Sequence, residues 1–218
     1  MIALADILQS ISVIIACWAV VAGIDVWRRE FVGKRRIELA EETLEAFFAI
    51  RDAIAYIRNP FSNTNEGSSR ERRECETEAE TELLNRAYIV FERYQAKKEV
   101  FTRLATLKYR FMAAFGKNTE NIFLRANETV NRIFVAAQTL GSHYWQRQGR
   151  VQMGEDEFKK HLDEMHREEE VFWDRDKEDD EIRTGLNAVL SDLERVTAPA
   201  FQDTTTLYGF LTKQLFRK

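Results

Sequence analysis

Apolar and polar positions along this chain of 218 residues fall into two regimes. From Ile7 to Ile24 no charged residue occurs, and Gln9, Ser10 and Ser12 form only a small polar patch near one end. Such a run lacks the polar face of a surface helix. A helix from Ile7 to Trp27 would span about 31 Å, which matches a bilayer core of roughly 30 Å. Beyond residue 34 the pattern changes to apolar positions every three or four residues, the period of a helix with one buried face.

The periodic part divides at its breakers. Ile37, Ala40, Leu44, Phe47, Arg51 and Ile54 recur at helical spacing, and nothing between Lys34 and Arg58 breaks a helix. The anchor therefore reads as continuing into this segment, with Gly33 as its weakest point. Asn59-Pro60 ends it, because the residue before proline avoids the α region. After the loop NPFSNTNEGSSR, Ser68 with Glu71 reads as a capping box that opens a second helical run over 71–115. Its first part, ERRECETEAETE, has almost nothing to bury. Its second part carries the stripe Leu84, Ala87, Phe91, Tyr94, Phe101, Ala105, Met112 and Phe115, with Lys98 and Lys108 snorkelling at the edge. Gly116 stops this run, and Asn118 and Thr119 cap the next. That third run carries Ile122, Ala126, Val130, Ile133, Ala137, Leu140 and Tyr144. As helices, 28–58, 83–115 and 119–148 would measure about 46, 50 and 45 Å. Matched lengths and a short second connection suggest an antiparallel up-down bundle, with Phe91, Phe101, Ile133 and Leu140 buried between its second and third helices.

Past Gly149 the chain turns acidic, with fourteen acids against five lysines and arginines between Glu155 and Glu181. Phe158, Leu162, Met165 and then Val171 or Phe172 outline a short amphipathic helix. Ile182, Leu186, Val189, Leu190 and Leu193 outline another, and Pro199 marks a break. The tail places Leu207, Phe210, Leu211 and Leu215 on one side. The expected fold class is all-α: an anchor over 1–27, a three-helix cytoplasmic bundle over 28–148, and an acidic segment with C-terminal amphipathic helices over 149–218 packing on that bundle.

Composition supports this. Charged residues make up 31% and only two prolines occur, Pro60 and Pro199, which favours long helices over an all-β domain. A net charge of −4 gives no nucleic-acid footprint. Cys17 and Cys75 lie in unlike surroundings and read as two reduced thiols. The segment before the apolar run, MIALAD, holds an acid and no base, so the positive n-region of a cleaved signal is missing. Charge after the run is opposite: Arg28, Arg29, Lys34, Arg35 and Arg36 follow Trp27, an interfacial aromatic. Positive-inside then places residues 28–218 in the cytoplasm and the short N-terminus outside. The same basic cluster suits anionic headgroups.

Chemistry is sparse. There is no P-loop, dinucleotide glycine fingerprint, HExxH or GxSxG elbow. DEMH, Asp163 to His166, matches one carboxylate–histidine half of a di-iron bundle and lacks the second half. DRDKEDDEIRTG has Asp179 where a calcium loop needs glycine and Gly185 where it needs glutamate. In GSHYW, Ser142 and His143 are adjacent on a helix and do not face each other. YWQRQGR, Tyr144 to Arg150, mixes aromatics with bases and suits either nucleotide stacking or closure of a bundle end. No catalytic, cofactor-binding or metal residue is assigned, and no cofactor is expected.

The blocks WRREFVGKRRIELAEETLEAFFAIRDAIAYIRNPFS, NEGSSR, AYIVFERY, YRFMAAFGK and YWQRQGR resemble a family of uncharacterised bacterial proteins. Its members have one N-terminal transmembrane helix and a helical cytoplasmic part. The resemblance covers roughly residues 10–175 and implies a bacterial inner-membrane location with no nameable activity. Two functional classes follow. The first is a non-enzymatic scaffold tethered to the lipid bilayer, acting by self-association or by docking a soluble protein partner. There Glu168, Glu169 and Glu170 would offer a charged face, and Phe172 and Trp173 an apolar anchor. The second is a nucleotide- or metal-responsive effector or enzyme with a site near residues 144–166.

Overall fold

A computed structural model of the protein describes residues 2–202, and these are helical without a β-strand. The elements are α1 (Ile2–Ile57), α2 (Glu78–Ala96), α3 (Lys98–Phe115), a 3-10 turn (Lys117–Thr119), α4 (Glu120–Thr139), a π-helical turn (Leu140–Tyr144), the single turn α5 (Trp145–Arg147), α6 (Glu155–Phe172) and α7 (Glu181–Gln202). The expected tail stripe of Leu207, Phe210, Leu211 and Leu215 lies outside the described residues. The chain forms two compact units. One comprises the described residues 2–41 and 197–202, the other residues 42–196.

In the first unit, α1 exposes apolar side chains on every side. Ile11, Ile14, Ile15, Trp18, Val21, Ile24, Trp27 and Phe31 are all largely exposed, Trp18 at 73%. Among the described residues α1 is the one helix long and apolar enough to cross a membrane. Gly33 does not interrupt it.

The second unit is organised around α4, which meets α2, α3, α6 and the π turn. Phe47 of α1 meets Phe123 of α4 edge-on at 5.3 Å, and Phe111 of α3 lies 5.7 Å from the same ring. Ala126, Ile133, Ala136, Ala137 and Leu140 bury the rest of this face. Small residues at three of those five positions let neighbouring helices approach α4 closely. From α7, Ile182, Leu186, Val189, Leu190 and Leu193 are buried as their spacing predicts.

Several sequence expectations are corrected. The helix expected from residue 71 begins at Glu78, and its capping box is Thr77 with Glu80 rather than Ser68 with Glu71. The Thr77 hydroxyl accepts from the Glu80 amide, and the Glu80 carboxylate accepts from the Thr77 amide at 2.8 Å. Ser68 instead donates to the Asn65 carbonyl at 2.6 Å. Residues 58–77 form a loop held by side chains of α2. Within it Gly67 adopts φ +83°, and a Cβ there would sit 2.0 Å from the Asn85 carbonyl oxygen. The second run is also divided at Lys97, which leaves the helical region. The buried positions of α2 and α3 are Ala87, Ile89, Val90, Arg93, Leu104, Leu107 and Phe111. Half of the expected stripe is therefore displaced by one residue, about 100° around a helix, with Val90, Arg93, Leu104 and Phe111 buried in place of Phe91, Tyr94, Ala105 and Met112, while Ala87 is buried as expected. Phe91 and Phe101 are half-buried. They belong to an aromatic rim in which Phe91 stacks on Phe134 at 4.8 Å and Tyr94 lies 4.5 Å from Phe101. Arg93 sets the phase, because loop carbonyls draw its side chain inward. Thr119 precedes α4 without a side-chain cap; its hydroxyl donates to Gly116 instead. Finally, α7 runs through Pro199 to Gln202. A proline within the last turn forfeits one amide donor close to the helix end, so the break is not enforced.

Candidate functional site

Three regions bear on function: the apolar and basic part of α1, the acidic helix α6, and the residues between Tyr144 and His166.

In α1, Trp27 is exposed and stacks on Phe31, with ring centres 5.8 Å apart. Arg28, Arg29, Lys34, Arg35 and Arg36 are all exposed along the next two to three turns, and Arg35 donates to Glu38 at 3.3 Å. Aromatics and bases thus interleave along α1 from Trp27 to Arg36, residue types that are enriched at the ends of membrane spans.

The acidic helix is engaged within its own unit. Glu168 receives both guanidinium nitrogens of Arg132, at 2.6 and 3.2 Å. Glu169 accepts from the Trp145 indole at 3.0 Å and from Arg175 at 3.2 Å. Glu170 pairs with Lys177. Phe172 is fully buried and Trp173 is 7% exposed, packed edge-on against each other with centres 4.3 Å apart. Trp145 meets Phe172 at 5.5 Å. The expected apolar anchor is therefore turned inward. Aromatics this large contribute more by joining the core than by standing in water beside charges.

The segment 144–150 is likewise occupied. Trp145 is buried beneath the Arg86 guanidinium, 4.7 Å from its ring centre. Arg147 pairs with Glu157 at 3.1 Å, and Arg150 donates to Gln146 at 3.0 Å. Local sequence explains the π turn. A Cβ on Gly141 would come 2.4 Å from Cβ of Ala87, so only glycine admits this approach to α2. Ser142 donates back to the Gln138 carbonyl at 2.6 Å, and Gln146 donates to the Gly141 carbonyl at 3.1 Å. Side chains entering the backbone ladder in this way distort a helix locally. Tyr144 donates to Glu164 at 3.2 Å, and burial followed by that carboxylate raises its pKa. His161 is 4% exposed, and neither of its ring nitrogens has a hydrogen-bond partner. Asp163 and His166 are exposed. Among the described residues no group of three His, Cys, Asp or Glu side chains is placed to hold a metal ion.

Sequence reasoning missed the two buried arginines that close helix ends. Arg58, 1% exposed, lies just beyond α1. Its Nε donates to the Val171 carbonyl at 2.8 Å, and its Nη2 donates to the Glu170 and Trp173 carbonyls at 2.8 and 3.3 Å. It also forms a two-pronged pair with Asp180 at 2.9 and 2.6 Å. Asp180 accepts from the Arg183 amide at 2.7 Å, capping the start of α7. Burial alone would raise the Asp180 pKa, but the Arg58 bonds, the Arg183 amide and both cations outweigh it and leave it lowered. The ends of α1, α6 and α7 are thus joined by one ion pair, and the Asp174 amide donates to the Arg58 carbonyl at 2.8 Å. Arg93 does similar work on the other side of the α1 terminus. It donates to the Asn59 and Phe61 carbonyls at 2.6 and 2.7 Å and pairs with Glu66 at 2.7 Å. The signal was present in IRNP: a base beside a helix-ending Asn-Pro is placed to reach carbonyls left open at a helix C-terminus.

No protein-family model, curated protein or solved structure matches this chain.

Proposed function

We propose that this protein is a membrane-anchored helical scaffold acting at the cytoplasmic face of the bacterial inner membrane, through self-association or docking of a soluble partner. In this reading the anchor crosses once, with its N-terminus outside, and the remaining helices form an elongated antiparallel bundle in the cytoplasm. The carrying observation is the all-round exposure of large apolar side chains between Ile11 and Phe31. A contiguous apolar surface of that extent needs lipid or another chain around it. The bases from Arg28 to Arg36 supply the orientation. A scaffold also fits the second unit, where Glu168, expected to offer a charged face, is engaged by Arg132, and where Arg58 and Arg93 pair with Asp180 and Glu66 at helix ends.

The test is fractionation of cells expressing the full-length chain, with a reporter active only in the cytoplasm fused after Lys218. The expected result is a membrane-bound, alkali-resistant, active fusion. Recovery in the soluble fraction would remove the anchor, and an inactive membrane-bound fusion would reverse the topology. Chemical cross-linking in intact membranes then separates self-association from capture of another protein.

A further inference from the structure

His161 is the described buried residue whose polar side-chain atoms lack partners on both sides of the ring. A buried imidazole normally satisfies at least one nitrogen, and one that satisfies neither loses its hydration without replacement. Its place is also unusual. It lies on α6, which packs against the π turn, with the Tyr144 ring 5.5 Å away. That turn is itself a departure from α-helical geometry, held by Gly141, Ser142 and Gln146. An orphaned titratable group and a distorted backbone segment therefore meet at one contact. We propose that this contact is a proton-sensitive latch: uptake of a proton by His161 releases α6 from the turn Leu140–Tyr144.

The surrounding charges give the direction. From the π turn and α5, His143 and Arg147 oppose a positive charge on His161; from α6 itself, Glu157 and Glu164 favour it. Those acids are otherwise engaged, Glu157 with Arg147 and Glu164 with the Tyr144 hydroxyl and Lys160. From α4, Arg132 faces α6 and is paired with Glu168. Burial comes first among the influences and leaves the pKa of His161 lowered. A histidine held below its free value of about 6.5 binds its proton more readily in the opened state. Stability of the contact is therefore fully present above about pH 6.5 and is lost as pH falls toward the folded-state value. Opening supplies water to both nitrogens and distance from Arg147. A histidine provides this response near physiological pH.

The test uses the full-length protein in detergent micelles or lipid nanodiscs. Amide exchange in α6 and in α3 is compared between about pH 7.5 and about pH 5, corrected for intrinsic exchange rates. The expected result is faster opening of α6 relative to α3 at the lower pH, by about tenfold for each pH unit between the folded and free protonation midpoints of His161. His161→Phe keeps a ring of similar breadth without a titrating group and should abolish the difference. An equal acid response in His161→Phe and parent would overturn the latch. If that variant does not fold, nuclear magnetic resonance titration of the three histidines in the parent decides. A midpoint for His161 below those of the exposed His143 and His166, with concerted shifts in Tyr144 and α6, supports it. Three coincident midpoints with no such shifts overturn it.

Discussion

Two regions of this molecule invert the usual rule of apolar inside and charged outside, and they do so in opposite ways. Along the first half of α1, Trp18 and its apolar neighbours stand exposed; at the junction of α1, α6 and α7, Arg58 is enclosed. Exposed apolar surface and buried charge both cost free energy in water. Each persists because a different debt is met locally. The exposed segment is apolar enough to suit a solvent other than water, while the buried guanidinium answers carbonyls that the C-terminal end of α6 leaves open. Deviations from simple partitioning are thus informative in kind: one describes the environment, the other the wiring of the fold.

Substitutions separate the two cases. Arg58→Ala should have the largest effect, lowering stability by about 3–5 kcal/mol, because Asp180 is left as an uncompensated buried charge. Urea unfolding measures this. The double variant Arg58→Met with Asp180→Leu should recover part of the loss and not all of it, since the carbonyls at 170, 171 and 173 remain uncapped. Next in size, Val20→Arg should oppose membrane insertion by about 2.5–3.5 kcal/mol, read as loss of membrane-bound protein. Tyr109→Arg, at a position on α3 that is more exposed still, should change neither membrane recovery nor stability by more than about 0.5 kcal/mol. Equal effects at both positions would mean that the two surfaces face the same solvent.

Smaller effects test how backbone ends are satisfied without burial. Thr77→Ala should cost about 1 kcal/mol through loss of the α2 cap, whereas Ser68→Ala should stay within about 0.5 kcal/mol. The smallest concerns Glu76, which Arg70 chiefly holds down to about 2 by a hydrogen-bonded ion pair. Its contribution to stability is fully present above the ordinary carboxylate value of 4.5 and is lost as pH falls through about 2. Arg70→Ala should return the Glu76 midpoint most of the way to 4.5, as followed by carboxyl-carbon resonance titration.

The sequence was most readable where one physical effect dominates. The charge-free run, the helix end at Asn59-Pro60 and the faces of α4 and α7 follow from periodicity and breakers alone. Reading failed where polar residues took core positions. Arg93 stood outside the expected stripe, which put Phe91 and Tyr94 in place of Val90 and Arg93, and Phe101 belongs to the rim instead of the core. The acids of α6 were visible as a cluster, but their long-range partners were not. Arg132, Trp145 and Arg175 become neighbours of Glu168 and Glu169 only after the chain has folded. Phe172 and Trp173 illustrate the same gap, since composition marks an aromatic pair without telling which way it turns.

The Arg58 junction also imposes an order on biosynthesis. Its partner Asp180 lies 122 residues later in the chain, which at 5–20 residues per second leaves roughly 6–24 s between their syntheses. Throughout that interval the Arg58 guanidinium lacks the carboxylate that it pairs with in the folded protein. The whole of the first helix is thus synthesised while this last clasp is still unmade. A chain that ends before Asp180 lacks this ion pair and leaves Arg58 without its carboxylate partner.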